Sequence, residues 1–212
     1  MKDMTVEIDA LIEAAMDVMK RFNLTMRPFR LKQTASGLYM VASNGAKIAT
    51  KAEDDASSQA FNLVTTATEG VYNLKSVDGL YMQVDSYSYL ASAEGEDENK
   101  VHEIEYIGRG KYNIKTASGY VASDDIAENS GLWSNKLADN TNGIWEIEPL
   151  AQVTFTYSYK YNDVEKRTEQ VQGYVGCPYP APTLNSVYGV VPTPKAGNVS
   201  VNKFAFFVMG EG

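Results

Sequence analysis

The stretch TASGLYM, from Thr34 to Met40, has two counterparts later in the chain. TASGY begins at Thr116, 82 residues after the first TASG, and SVDGLYM lies between them from Ser76 to Met82. The separation is too large for one hairpin, so three copies of a short motif indicate an internal repeat. The glycines of the three copies are Gly37, Gly79 and Gly119. They predict turns whose backbone conformations favour glycine.

Each copy lies in a unit of about 40 residues that contains four strand-like segments in the same order. The first segments are FRLK from Phe29, YNLK from Tyr72 and YNIK from Tyr112. The second strands follow the glycine turns. The third strands carry Ile48, Leu90 and Leu132, and the closing strands carry Phe61, His102 and Trp145. Intervals of 42 and 42 residues for the third strands, and of 41 and 43 for the closing strands, define repeats 28–70, 71–110 and 111–150.

Three units of four short strands predict a closed antiparallel architecture, because one unit cannot bury its apolar face alone. The sequence therefore predicts a β-trefoil over residues 28–150, in which six strands form a short barrel and six form hairpins that cap it. A three-bladed propeller is the alternative. It is disfavoured because blades usually number four or more, and the Trp-Asp signature of WD40 repeats is absent from the sequence.

Residues 1–27 predict an amphipathic helix followed by a linker. Its apolar stripe consists of Ile8, Leu11, Ile12, Ala15, Met16 and Met19, at helical spacing. Thr5 is the predicted N-terminal cap, and Pro28 ends the segment. We expect the helix to dock on the next domain or to be left over from a preceding one, with a partner protein or a membrane surface as the alternative.

Residues 151–212 predict a separate small β module. In VTFTYSYKY, from Val153 to Tyr161, apolar and polar residues alternate as in a strand with one buried face. Asn162-Asp163 predicts a tight turn into a partner strand. The segment 176–182 is too rich in proline for regular structure, and two more apolar runs follow at 188–191 and 204–209. The whole chain is predicted to be all-β: a β-trefoil with an N-terminal helix and a small C-terminal β-sandwich (Ig-like) or β-grasp-like module.

Composition limits the partners of the chain. A net charge of −8 at pH 7 argues against a nucleic acid or an anionic membrane, since phosphates attract clustered Lys and Arg. No apolar run has the length that spans a bilayer. The N-terminus lacks the pattern of a signal peptide, so we expect either a cytosolic protein or a mature piece of a secreted one. The single cysteine, Cys177, excludes an internal disulfide framework.

Residues suited to catalysis are few, and the sequence predicts no catalytic residues, no metal and no cofactor. His102 is the only histidine, and it occupies the closing-strand position of Phe61 and Trp145, so we expect it to pack in the core. Cys177 lies between Gly and Pro in a loop and is expected to be structural. The acidic clusters are Glu53, Asp54 and Asp55; Glu94, Glu96, Asp97 and Glu98; and Asp124 and Asp125. They lie in turns between strands, where solvated carboxylates are expected.

The three units resemble ricin-B-type β-trefoil domains, which are lectin-like modules often appended to secreted glycosidases and other hydrolases. That family closes each unit with a Gln-x-Trp motif. The matching triplets here are Gln59-Ala60-Phe61, Lys100-Val101-His102 and Gly143-Ile144-Trp145. The first triplet keeps the Gln and the third keeps the Trp. The C-terminal module resembles the small β modules of surface proteins of gut-type Bacteroidetes.

The resemblance implies a sugar site with an aromatic platform beside hydrogen-bonding side chains. In the family an Asp follows the second-strand GLxx, the platform precedes the closing Trp by about a dozen residues, and Asn comes just before the Gln. The first repeat has Val41 and Ala49 at the first two positions and is predicted to be inactive. The carbohydrate-binding residues predicted elsewhere are Gln83, Tyr89 and Asn99 in the second repeat, and Trp133, Asn142, Asp124 and Asp125 in the third. In the third repeat, the better candidate, Asp124 or Asp125 would substitute for the missing Asp.

The function implied by the resemblance is that of a noncatalytic carbohydrate-binding or accessory module of a secreted or surface glycan-processing protein. Its partners would be a glycan and the neighbouring domains of a larger protein, at an extracellular or cell-surface location. One alternative is a structural or protein-interaction module with no sugar binding. Another is an accessory fragment of a larger hydrolase whose catalytic domain lies outside this chain.

Overall fold

The computed structural model describes residues 4–43, 47–54, 57–93, 100–181, 193–194, 196–200 and 205–209. Side chains of residues 18–23, 161, 193–194 and 205–209 are outside this description. The chain divides into two compact units, one formed by Met1–Glu53 with Ser58–Pro149 and one formed by Asp54–Ser57 with Leu150–Gly212.

The first unit contains one helix and three sets of four strands in its described part. The helix is α1 (Met4–Leu24). The first repeat contains β1 (Phe29–Gln33), β2 (Tyr39–Val41), β3 (Ala49–Lys51) and β4 (Phe61–Thr65). The second contains β5 (Val71–Ser76), β6 (Tyr81–Asp85), β7 (Ser88–Ser92) and β8 (Val101–Gly108). The third contains β9 (Lys111–Thr116), β10 (Gly119–Ser123), β11 (Leu132–Lys136) and β12 (Trp145–Pro149).

The first and fourth strands of the repeats form a closed six-stranded barrel. Within the repeats, β1 pairs with β4, β5 with β8 and β9 with β12. Between the repeats, β4 pairs with β5, β8 with β9 and β12 with β1. All six pairings are antiparallel, and the register from Phe29↔Pro149 to Gln33↔Trp145 closes the ring. This closed ring confirms the barrel predicted from the repeats.

The second and third strands form the three predicted hairpins, β2–β3, β6–β7 and β10–β11. Their third strands meet one another, since the backbone N–H of Ile48 donates to the carbonyl of Tyr89 (2.9 Å) and that of Leu132 donates to the carbonyl of Ile48 (2.8 Å). Tyr89 therefore holds the position that the sequence assigned to Leu90. The intervals become 41 and 43 residues, the same as in the closing strands.

The closing-strand positions lie in the core of the barrel. Phe61, His102 and Trp145 are 0%, 1% and 0% exposed, which confirms the expected core position of the lone histidine. The turns between first and second strands also match the prediction. Gly37 and Gly79 have φ angles of +73° and +91°, a region that L side chains rarely adopt.

Helix α1 faces the strands of its unit with polar residues. Tyr106 Oη donates to Glu13 Oε2 (3.3 Å), and Asp17 is buried. The apolar stripe is exposed at Ile8 and Leu11, so the described strands leave it uncovered at these positions. The side chain of Met19, also predicted for the stripe, lies outside the description. The helix begins at Met4, which places the predicted cap, Thr5, inside its first turn.

The second unit contains β13 (Gln152–Tyr161), β14 (Val164–Tyr174), β15 (Thr193–Pro194) and β16 (Ala205–Met209) in its described part. β13 and β14 form an antiparallel hairpin, and Asn162 and Asp163 have positive φ angles of 49° and 58°, as the tight turn requires. β16 pairs parallel with β13, and β15 pairs antiparallel with β16. These strands form one mixed sheet. Residues 188–191 lie outside the described ranges.

The predicted alternation in β13 gives the second unit its core. Phe155, Tyr157 and Tyr159 are buried and pack with Val199. The proline-rich segment contains no helix or regular strand between residues 176 and 181, and Cys177 is buried there.

Candidate functional site

Trp133 lies on β11, the third strand of the third repeat. Its neighbours across the strands are Ala122 on β10 and Ser88 on β7. The side chain of Trp133 is half-buried, whereas the preceding residue, Leu132, is fully buried in the core. Side chains alternate between the two faces of a strand, so the Trp133 ring lies on the face away from the core. A ligand can reach part of the ring from that side.

Lys47, from the first repeat, covers one face of this ring. Its Nζ lies 2.9 Å from the centroid of the Trp133 ring, the geometry of a cation–π contact. Gly131 leaves room for the lysine stem, because a Cβ at this position would lie only 3.0 Å from Lys47 Cδ. Burial lowers the pKa of Lys47, the nearby Asp124 charge acts against this shift, and Lys136 adds to it.

Asp124 supplies a carboxylate beside the same ring. It forms an ion pair with Lys136, and the neighbouring Trp133 side chain also helps to lower its pKa. The pKa of Asp124 is lowered, first by the hydrogen bond from Lys136, with smaller contributions from the charges of Lys136 and Lys47. Trp133, Lys47, Asp124 and Lys136 therefore form one cluster, which we call the Trp133 cluster.

Asn142 and Asp125 hold the loops next to this cluster. Asn142 Nδ2 donates to the carbonyl of Ser123 (3.0 Å). Asp125 Oδ1 accepts from the backbone N–H of Ala127 (2.8 Å), and its carbonyl accepts from Ser123 Oγ. Asn142 is half-buried, and the Asp125 carboxylate is engaged in a local turn. Of the two carboxylates predicted as substitutes, Asp124 is the one that belongs to the Trp133 cluster.

The family position of the sugar-binding Asp is occupied by Ala122 in the third repeat. Ala122 pairs with Trp133, just as Val41 pairs with Ala49 and Gln83 with Leu90. The third repeat reads TASGY where the first reads TASGLY, so this position comes three residues after the turn glycine and not four. Neither Ala122 nor the next residue, Ser123, carries a carboxylate, so the third repeat has no Asp at this position.

Gly143 occupies the family Gln position because there is little room for a side chain. A Cβ on Gly143 would lie 3.1 Å from the carbonyl oxygen of Val121 and 3.2 Å from Ala122 Cβ. The buried amide of Gln33, from the first repeat, supplies hydrogen bonds here instead. Its Nε2 donates to the carbonyl of Asn142 and to Ser123 Oγ, both at 2.8 Å. Sequence comparison of aligned positions could not find Gln33, since it comes from β1 of another repeat.

No protein-family model matches the sequence, and no curated protein sequence matches it either. Solved structures do match. ThreeFoil, a designed threefold-symmetric protein, superposes with a TM-score of 0.53 at 14% identity, over 57% of this chain and 97% of that chain. The fold is a β-trefoil.

Two larger proteins match this chain over one part of their length. An exo-β-1,3-galactanase from Clostridium thermocellum matches with a TM-score of 0.51 at 18% identity, over 58% of this chain and 30% of that chain. A mosquitocidal holotoxin matches with a TM-score of 0.53 at 12% identity, over 62% of this chain and 19% of that chain. The chain thus spans less than a third of either protein, and these likenesses establish the fold.

The second repeat of the trefoil lacks an aromatic platform. Tyr89 is fully buried, and its Oη lies 2.9 Å from His102 Nε2. The ring therefore has no face that a ligand could reach, and the prediction of Tyr89 as a binding residue is wrong. Leu90 holds the platform position, opposite the half-buried Gln83. Asn99, also predicted for this site, lies outside the described residues. Ala49 holds the platform position in the first repeat, so Trp133 is the aromatic residue among the three.

His102 is held neutral inside the trefoil. Lys100 offers a carbonyl oxygen 3.0 Å from His102 Nδ1, so Nδ1 carries the proton and donates, while Nε2 accepts from Tyr89 Oη. Burial lowers the pKa of His102 to about 4, against a small opposing effect of the Lys100 carbonyl. Throughout the described residues, no group of three or more His, Cys, Asp or Glu is arranged to hold a metal. Within the same ranges, no helix combines the length and apolarity of a membrane span.

The lysine cover on Trp133 can be measured directly. We expect the Lys47→Ala variant to raise acrylamide quenching of tryptophan fluorescence roughly twofold, because a lysine stem shields the apolar surface that it crosses. The second tryptophan, Trp145, is 0% exposed and contributes little to the quenching. Lys75→Ala is the matched control, since Lys75 Nζ lies 4.7 Å from the centroid of a tyrosine ring, Tyr81. Equal quenching in the two variants would contradict the cover.

Proposed function

We propose that the chain is a noncatalytic carbohydrate-binding module whose ligand site is the Trp133 cluster. The observation that carries the proposal is the position of Trp133, a half-buried ring at the platform position of the third repeat, in one cluster with the Asp124 carboxylate. An aromatic face stacks on the C–H face of a pyranose, and a nearby carboxylate accepts hydrogen bonds from sugar hydroxyls. Pockets of this kind combine an apolar surface with a few polar groups that fix orientation.

Lys47 determines what a ligand must displace. Its ammonium lies over the Trp133 ring, where a stacked sugar would sit. Such a contact contributes about 0.5–2 kcal/mol, so displacement lowers the affinity for a neutral sugar but does not prevent binding. The lysine chain is flexible enough to move aside and keep its charge near Asp124.

A structural or protein-interaction module without sugar binding is the second candidate, favoured by two observations. Lys47 covers the platform, and Ala122 stands where the family has its Asp. In this case the Trp133 cluster would serve to join the first repeat to the third, through the cation–π contact of Lys47 with Trp133 and the attraction between Lys47 and Asp124.

A glycan array followed by titration calorimetry separates the two candidates. We expect the wild-type chain to bind at least one glycan and the Trp133→Ala variant to bind it at least tenfold more weakly, a loss of about 1.4 kcal/mol or more. Tyr81→Ala is the control, because Tyr81 also carries a lysine against its ring but lies outside the platform position. Binding that survives Trp133→Ala would refute the site, and the absence of any binding would favour the interaction module.

The proposal extends to the surroundings of the module. We place it as an accessory part of a secreted or surface glycan-processing protein, with a glycan and the neighbouring domains as partners. The match to 30% of an exo-β-1,3-galactanase chain supports this context, including the variant in which a hydrolase domain lies outside this chain. Hydrolysis of a glycoside by the purified chain would contradict the noncatalytic role.

A further inference from the structure

Helix α1 presents an apolar face to solvent. The exposed fractions are 72% for Met4, 52% for Ile8, 70% for Leu11, 52% for Ile12 and 65% for Met16. Single exposed apolar residues are ordinary, but a continuous apolar surface of this kind marks an interaction site. The helix thus has a face that its own unit leaves uncovered.

This apolar face lies opposite to the side of the helix that contacts the strands. Asp17 is buried and Glu13 accepts a hydrogen bond from Tyr106, so these positions mark the inner side. Ile8 and Asp17 are nine residues apart, which is two and a half helical turns and therefore half a rotation. The stripe around Ile8 points away from the barrel, and a small rotation of the helix cannot bury it there.

The spacing of the apolar residues favours another helix as the partner. Met4, Ile8, Leu11 and Ala15 are separated by four, three and four residues. This alternation is the heptad spacing of helices that pack side by side in a coiled coil. The small Ala15 in the middle of the helix permits a close approach of the two backbones.

The charge distribution along the helix favours a second copy in the opposite direction. Glu7, Asp9 and Glu13 lie in its first half, and the sequence has Lys20 and Arg21 near its end. Of these charged residues, Glu7 and Arg21 lie nearest to the seam, and two antiparallel copies would place Glu7 of one helix near Arg21 of the other on both sides of a twofold axis. A parallel pair would bring like charges together. An acidic first half also disfavours an anionic membrane surface.

We propose that α1 pairs antiparallel with α1 of a second copy of this chain, through a seam formed by Met4, Ile8, Leu11 and Ala15. A twofold axis that sets position 11 of one helix against position 15 of the other also sets position 4 against position 22. This isologous contact closes on itself and produces a dimer rather than a filament. It leaves the Trp133 cluster of each copy as already described, and it does not depend on the proposed sugar binding.

Sedimentation or light scattering of the full chain tests the pairing. We expect a dimer at about 100 µM, a concentration that detects weak association, and a monomer for Leu11→Lys at the same concentration. Leu137→Lys is the matched control, since Leu137 is 74% exposed outside α1 and should leave the dimer intact. Circular dichroism checks that both variants stay folded. A monomeric wild-type chain overturns the proposal, even if that monomer binds vesicles or another protein. Retention of the dimer in Leu11→Lys also overturns it.

A spin label determines the direction of the two helices. With Cys177 replaced by alanine and a label attached at Met4→Cys, an antiparallel pair separates the two labels by 18 residues, or roughly 27 Å along the helix axes. A parallel pair would bring them to roughly 10 Å, the usual distance between packed helices. Pulsed electron resonance distinguishes these values, and the shorter distance would refute the antiparallel arrangement.

Discussion

Replacement of Trp145 by alanine is expected to lower the free energy of unfolding of the trefoil by about 3–5 kcal/mol. Trp145 is 0% exposed and donates its indole N–H to the carbonyl of Val121 (3.2 Å). It pairs with Gln33 and Tyr112 on the two adjacent strands of the barrel. The substitution removes a large buried ring, opens a cavity at the strand that closes the barrel, and leaves the Val121 carbonyl without this donor.

The second tryptophan provides a matched control for this experiment. Trp133→Ala is expected to cost less than about 1 kcal/mol, because a half-buried ring loses little burial when it is removed. Both tryptophans lie in the trefoil, so the fluorescence of the remaining one follows denaturant unfolding of this unit. Similar losses for the two variants would contradict the assignment of Trp145 to the core and Trp133 to a ligand site.

Acidification from pH 7 to pH 4 is expected to remove about 3 kcal/mol of trefoil stability through His102 alone. The pKa of His102 is near 6.5 in the unfolded chain and is lowered to about 4 in the fold by burial. Between these values the unfolded chain binds a proton at His102 and the folded chain does not, so the free energy of unfolding falls as the pH falls from about 6.5 towards 4. Below the folded value the loss from this group is complete.

Carboxylates also titrate in this range, so the contribution of His102 must be obtained by difference. The His102→Phe variant places at this position the residue found at Phe61 in the first repeat. Combining it with Tyr89→Phe removes the hydroxyl that would otherwise lose its acceptor. Denaturant unfolding at pH 7 and pH 4 should show a pH dependence that is smaller by about 3 kcal/mol in the double variant than in the wild type. Equal pH dependences would mean that His102 is not held neutral.

The repeat pattern predicted the barrel because it depended on residues that must be buried. The intervals between Phe61, His102 and Trp145 placed all three correctly in the core. The same comparison aligned Leu90 with Ile48 and Leu132, although Tyr89 is the equivalent residue in the structure. A slip of one residue in a strand reverses which face each side chain occupies, and tyrosine suits either a core or a binding surface. Its buried partner, His102, decides the matter, and that pairing is a tertiary contact.

The candidate site could be predicted only in part for the same reason. Trp133 was found from its interval to Trp145, which is local to one repeat. Lys47 and Gln33 belong to the first repeat but contact residues of the third. The spacing of residues within one repeat cannot predict such contacts. Helix α1 shows a further limit, since the pattern located its apolar stripe correctly but could not say that the strands would contact the opposite, polar side.

The contact between Lys47 and Trp133 can form only late in the synthesis of the chain. The ribosome adds Trp133 86 residues after Lys47, so the contact between the lysine and the indole ring cannot form until the third repeat has been made. The strand that completes the barrel, β12, is made last and pairs with β1, which is made first. An unfinished chain therefore has no complete Trp133 cluster, and ligand recognition would be restricted to molecules whose synthesis has passed the third repeat.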